Sequence, residues 1–349
     1  MAVNVTFLIG NGFDLKIGLK TRWSDFYEVY LNETENDTPA IKNFKATILK
    51  DKQNEWQNWS DFELGMGIES KNFNLLDFID CSTDFVIKFN TYLKNECDKV
   101  DWNRTLGIHL NEFMDSIFDF HKKIEINLKT TDIQIKNFLQ FNYTSAFDYF
   151  TNTFSISEKI NNLHIHGRID NHPIIGVDNL GQIANIEIRN YIKEIFIKQT
   201  MINELKKSNG RLKNSGNVAS LLDTSDVICI FGSSIGATDM CWWKIIGDWL
   251  RQVDKTLIIL DVFNREKDDG ISPKHLISDD ALSKIHSAEI LNRFTQFAGL
   301  NEEEKNIYRE KEKIIIKFNT TMFNFKLPMI TEYNTAGKLL KTTPNRKKS

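Results

Sequence analysis

The chain has 349 residues, 41% of them hydrophobic, which is material for one elaborated domain with a substantial core. A formal net charge of -3, with a pI near 6.2, argues against a nucleic-acid coat or a membrane-binding surface as a global property. The four cysteines Cys81, Cys97, Cys229 and Cys241 contain no CxxC pair, so neither a disulfide framework nor a metal centre is expected, and the apolar start is too short for a signal sequence. The expected location is the cytoplasm.

Residues 3–9 are apolar and rich in β-branched side chains, and they stop at Gly10-Asn11-Gly12. This reads as a buried strand running into a tight turn. Glycines let the main chain approach a diphosphate and following amides can donate to it, so Gly10, Asn11 and Gly12 are candidate cofactor-binding residues; an ordinary turn explains the same pattern. Asp14 is expected to hold the loop by accepting from its amides.

A helix is expected to start near Ser24. The tetrapeptide Trp-Ser-Asp-Phe occurs at 23–26 and again at 59–62. In the second copy Ser60 and Glu63 have capping-box spacing and Trp59 can staple onto Leu64, while Asp61 and Glu63 are also carboxylates able to face a site. Residues 73–128 have helical spacing, with stripes at Phe85, Phe89, Tyr92, Leu93 and then at Leu106, Leu110, Phe113, Ile117, Phe120. A helical insertion over about residues 66–132 follows, in which His109 and His121 read as packed or surface histidines.

Residues 137–141 read as a strand ending at Asn142-Tyr143-Thr144. Residues 162–169 close on His166-Gly167, and a short run at 173–178 ends on Asp178. In an open α/β sheet the carboxyl edge of the strands is where ligands bind. A long, partly basic amphipathic helix is expected over about 186–216, with Lys198, Lys206, Lys207, Arg211 and Lys213 on a solvated face or, alternatively, against an acidic partner or phosphate tail. Residues 226–239 supply a second glycine-rich strand exit, Gly232-Ser233-Ser234, leading through Asp239 into a helix at 240–250. The last parallel-type run, 255–263, carries Asp261 as a candidate ribose acceptor. A helix over 279–298 and strand-like sequence over 313–325 complete one domain, 1–325; the polar, basic tail 326–349 is expected to be disordered.

In order, IGNGFDLKIGLKT, FNYT, HIHG, IIGVD and FGSSIGATD resemble the AbiH family of bacterial abortive-infection proteins over most of the chain. They resemble the sirtuin-like NAD-binding domain more distantly. The resemblance implies a Rossmann-like α/β fold, a mainly parallel sheet flanked by helices, and a protein of antiphage defence that takes NAD as ligand or substrate. By the same resemblance, Gly10 and Gly12 correspond to the glycine turn, Asn142 to the asparagine beside the nicotinamide ribose, His166 to the catalytic histidine, and Gly232 with Ser233 to the late cofactor contact. Thr144 stands where sirtuins carry an aspartate, Asn11 replaces a small residue, and the missing four-cysteine zinc module argues against protein deacetylation.

The residues themselves suit that chemistry. Cleaving NAD between ribose and nicotinamide passes through an oxocarbenium-like state, so the protein must mainly fix the ribose and guide a water. Asn142 can donate to and accept from ribose hydroxyls, and His166 can take a proton near neutral pH. The plain structural readings are a helix cap for Asn142 and a satisfied histidine for His166. His164, two positions away, is expected to share the face of His166, so that one of the pair can orient the other, and Asp178 is expected to support His166. A non-catalytic nucleotide-binding sensor and a nuclease or tRNA-directed toxin are the competing functions, the latter resting on the HIH pair and the basic stretch alone. Expected partners are a nucleotide, an unidentified phage trigger and a second copy of the chain, with neither nucleic acid nor membrane.

Overall fold

The structure is a computed structural model that describes residues 2–53, 61–128, 132–154, 160–170, 173–201, 218–261, 279–318, 320–328, 330–333 and 339–342. Six strands form its sheet: β1 Val3–Ile9, β2 Ile133–Gln140, β3 Asn161–His164, β4 Val227–Phe231, β5 Thr256–Asp261 and β6 Ile314–Phe318. They hydrogen-bond in the order β3-β2-β1-β4-β5-β6, every pair parallel. This is the Rossmann-like order, and it puts a topological switch point between β1 and β4. The expected mainly parallel, helix-flanked sheet is therefore present.

The central strands are apolar on both faces because helices cover both. Val5, Phe7 and Ile9 of β1 join one core with α1 Gly12–Ile17, α6 Trp102–Leu128 and α7 Ala146–Phe154. Leu8 turns the other way, as the period of two requires, into a core built with α9 Val218–Asp223, α10 Met240–Leu250 and α11 Asp279–Ala298. A further helix, α12 Glu302–Glu310, precedes β6. No helix among the described residues is long and apolar enough to cross a membrane.

A third core lies off the sheet. Phe26, Tyr27, Phe44, Phe62, Phe85 and Phe89 bring together α2 Trp23–Tyr30, α3 Pro39–Gln53, α4 Phe62–Glu69 and α5 Leu75–Asp98, and Phe196 adds α8 Arg189–Phe196. Helical material thus begins directly after β1, earlier than residue 66, and its last member α6 belongs to the sheet layer. The N-cap of α4 is Asp61, which accepts from Glu63 N at 3.0 Å and Leu64 N at 3.3 Å. Trp59 and Ser60, expected to cap and staple this helix, lie outside the described residues.

Two expected runs differ. Residues 173–178 add no strand to the sheet; Val177 forms only an isolated bridge with Ile197. The helix expected over 186–216 is interrupted after Phe196, because Ile197 is extended and its flanks bond Val177: Val177 N donates to Phe196 O at 2.9 Å and Lys198 N to Val177 O at 3.0 Å, and helix resumes over 198–201. Lys206, Lys207, Arg211 and Lys213 lie outside the described residues. The chain stays in the core past residue 325, since Leu327 is buried and its N–H donates to Ile17 O at 3.0 Å. Within the tail expected to be disordered, β7 Ile330–Tyr333 and β8 Leu339–Thr342 pair antiparallel, and residues 343–349 lie outside the described residues.

Candidate functional site

The carboxyl ends of β1, β2, β3 and β4 open into one cleft of about 880 Å3. Gly10, Asn11, Gly12, Asp14, Asn142, Thr144, His166, Gly232, Ser233 and Ser234 line it, together with Asp61, Glu63 and Asp239. Strand ends collect there because parallel strands share one carboxyl edge. His164 and Asp178 are not among its lining residues.

The two glycine turns are stitched to each other. Gly10 N donates to Phe231 O at 2.8 Å and Gly12 N to Gly232 O at 2.7 Å. A Cβ on Gly12 would lie 2.4 Å from Gly232 Cα, and one on Gly10 would lie 2.6 Å from Gly232 O. Gly232 itself has φ +66°. The absence of side chains is therefore required by contact between the loops, and the amides of Gly10 and Gly12 are already used. Asn11 is also tied within the chain: Thr21 Oγ1 donates to its Oδ1 at 2.6 Å and its Nδ2 donates to Thr21 O at 3.0 Å.

Asp14 reaches the β2 exit rather than its own loop. Its carboxylate accepts from Asn142 Nδ2 at 2.9 Å and Thr144 Oγ1 at 2.7 Å, while its main-chain oxygen takes the Gly18 and Leu19 amides. Burial pushes this carboxyl up to about 7, against the two hydrogen bonds that lower it. Asn142 is not a helix cap, since α7 begins at Ala146. Its Nδ2 is spent on Asp14, and its buried Oδ1 has no hydrogen-bond partner among the described residues.

His164 does not orient His166. Its Nδ1 lies 3.0 Å from Asn142 O and its Nε2 2.9 Å from Asp148 Oδ2, an acidic centre shared with Arg168 and Gln140. The role this geometry gives it is to hold the β2 exit. His166 is buried against Phe141 and Tyr143, with Nε2 3.0 Å from Asp239 Oδ1 but out of line for a hydrogen bond. Burial, then the charge of Lys198, lowers its pKa, and Asp239 opposes them.

Behind His166 lies a cluster whose centre was not legible as a site residue. Lys198, expected on a solvated face, is 1% exposed and donates to Glu63 Oε2 at 2.7 Å and Asp239 Oδ1 at 2.8 Å. The helix break at Ile197 is what carries it inward. Glu63 Oε1 faces the Tyr143 hydroxyl at 3.2 Å and the Gly176 N–H at 3.1 Å. Burial raises the Glu63 carboxyl against the pull of Lys198, whereas for Asp239 the charge of Lys198 together with its hydrogen bonds overcomes burial and holds it well below the usual carboxylate range. Burial also raises Asp61, which besides capping α4 accepts from Thr238 Oγ1 at 3.2 Å.

Two expected residues fall elsewhere. Asp178 Oδ1 accepts from Cys241 N at 2.6 Å at the start of α10, so it supports that helix and not His166. Asp261 ends β5 opposite Phe318 of β6, beyond β4 from the switch point. Cleft residues that sequence reasoning did not single out include Lys16, Arg22, Trp23, Tyr143, Asn324 and Lys326. No curated protein matches the chain. The model of the family described as bacteriophage abortive infection AbiH matches residues 6–261, spanning β1 to the end of β5 and every strand end of the cleft, and the chain belongs to this AbiH family.

Proposed function

We propose that the chain is an antiphage effector acting by abortive infection, which binds NAD in the cleft and hydrolyses the bond between its ribose and nicotinamide. Membership of the AbiH family supports the defence role. The observation that carries the chemistry is a buried polar atom without a hydrogen-bond partner among the described residues, Asn142 Oδ1, in the cleft that His166 also lines at the switch point of the sheet. Leaving such an atom unpaired costs on the order of 1–3 kcal/mol, which a ligand offering a hydrogen-bond partner removes.

Ribose hydroxyls are donors that suit Asn142 Oδ1, and Asp14 fixes the amide of this cleft-lining residue by taking its Nδ2. The acid that the resemblance finds missing at Thr144 comes instead from α1, as the Asp14 carboxylate bonded to both Asn142 and Thr144. In the reaction, the C1′–N bond breaks with its electron pair going to the pyridinium nitrogen, so nicotinamide leaves neutral. Water oxygen bonds C1′ and its proton passes to His166, which burial keeps as the neutral base. The proton arrives 3.0 Å from the ionised Asp239 carboxylate, which stabilises the imidazolium.

The test follows free nicotinamide from purified protein and NAD, in parallel with RNA and DNA. Wild type should release nicotinamide and leave nucleic acid intact. His166→Ala should bind NAD with release slowed by about 10²–10⁴-fold and lose phage protection. NAD binding without release by wild type, with full protection by folded His166→Ala, would replace the enzyme by a sensor.

A further inference from the structure

The proposed ligand carries a diphosphate, and several amides of the glycine turns are already engaged within the protein. The Gly10 and Gly12 amides donate to Phe231 O and Gly232 O, and Phe13 N donates to Gly10 O. Cationic side chains can balance negative charge in the cleft, and besides Lys198 those lining it are Lys16 of α1, Arg22 before α2 and Lys326 of the segment after β6, of which Lys16 and Lys326 adjoin each other through the Lys16 carbonyl. These lysines differ from Lys198, which holds two carboxylates. Among the described residues neither Lys16 nor Lys326 has a carboxylate partner: Lys16 Nζ donates to Thr320 O at 3.4 Å and Lys326 Nζ to Lys16 O at 2.5 Å. Both ammonium groups are partly desolvated, and the charge of Lys16 works against that of Lys326. Two like charges at one cleft without a counter-charge raise the local potential for an anion.

The backbone that presents Lys326 is built for the position. Phe323, Phe325 and Leu327 are buried in the core under α1, while Asn324 and Lys326 alternate with them and line the cleft. The hydrogen bond from Leu327 N to Ile17 O fixes the segment one residue from Lys16. This stretch lies beyond the family-matched residues 6–261.

We propose that Lys16 and Lys326 form the phosphate subsite of the cleft, taking the diphosphate of a dinucleotide, and that residues 322–328 are thereby part of the site. The dinucleotide identity rests on the NAD reading; the anion subsite does not. Calorimetry with inorganic pyrophosphate tests the subsite alone, and calorimetry with ADP-ribose tests it inside the whole ligand. Wild type should bind pyrophosphate with an affinity that falls as salt rises, and each of Lys16→Gln and Lys326→Gln should weaken both probes by about tenfold. Lys326→Arg should restore most of the loss, which separates lost charge from lost packing. Adenosine, which has no phosphate, should bind wild type and both variants alike. Pyrophosphate binding without ADP-ribose binding would keep the subsite and overturn the NAD reading. Failure of wild type to bind pyrophosphate, or ADP-ribose binding by the double Gln variant within twofold of wild type, would overturn the subsite and leave the NAD reading standing.

Discussion

The two ends of the cleft treat cations in opposite ways. At the inner end Lys198 is fully buried and neutralised by Glu63 and Asp239, each of which has further partners in Tyr143, Gly176 or His166. At the outer end Lys16 and Lys326 touch only main-chain oxygens among the described residues. The ion pairs of Lys198 are complete without a ligand, and its charge belongs to the fold. The outer end carries charge that the fold does not need, which is why a ligand is expected to engage it.

The largest effect should come from breaking the inner end. Lys198→Met leaves two buried carboxylates without their cation, a loss of about 3–5 kcal/mol in unfolding free energy measured by denaturant titration. Replacing Lys198, Glu63 and Asp239 together by apolar residues of similar size should return much of it, since no buried charge then remains. Lys16→Gln, by comparison, should change stability by less than about 0.5 kcal/mol.

Next in size is the seam between the glycine turns. Gly12→Val drives a side chain into Gly232, whose Cα lies 2.4 Å from the ideal Cβ position. Both partners there are backbone, so the seam must open, at about 2–4 kcal/mol. Stability and NAD affinity should fall together, whereas a glycine serving only a phosphate would lose affinity alone.

A smaller effect separates Asp14 from its neighbours by pH. Its carboxyl stands at about 7 in the folded chain against an ordinary 3.8, so between these values the folded state holds more protons than the unfolded one. Stability from this group is full below the unfolded value and is lost as pH rises toward and through 7. Glu63 is raised and acts in the same direction, while His166 is lowered and costs stability as pH falls. The difference between wild type and Asp14→Asn isolates the term: the variant should gain relative to wild type between pH 5 and pH 8, by on the order of 1–3 kcal/mol. A pH-independent difference would mean that Asp14 is ionised throughout.

How much of this was legible depended on sequence distance. The motifs after β1, β2, β3 and β4 could be read locally, because an apolar run followed by glycine or a polar turn marks a strand end, and parallel strands bring such ends together. Lys198 could not. It sits in an amphipathic stretch where lysine reads as solvent-facing, and its partner Glu63 is 135 residues away. Lys326 likewise contacts Lys16 across 310 residues. His164 was read as a neighbour of His166 from proximity in sequence and Asp178 as its support, yet the Asp148 centre and a helix start claim them. The glycines of the two turns line the cleft, and the contacts give a structural reason for them: they fit each other.

The smallest prediction concerns Asp61, which lines the cleft beside Glu63 and so tests whether proximity to the site implies a part in the chemistry. Its Oδ1 accepts the first amides of α4 and its Oδ2 takes the Thr238 hydroxyl, so both oxygens are engaged by the protein. Removing the cap by Asp61→Ala should cost about 1 kcal/mol. Part of that cost is offset, because burial raises this carboxyl and the negative charge of Asp239 adds to it. Asp61→Asn keeps an accepting oxygen for the amides and should be close to neutral in thermal unfolding. Nicotinamide release, if the NAD reading holds, should stay within about threefold of wild type in the Asn variant, since the polar atoms facing the ribose are those of Asn142 and His166. A loss of release as large as that of His166→Ala, at unchanged stability, would move Asp61 from the scaffold of the inner end into the reaction itself.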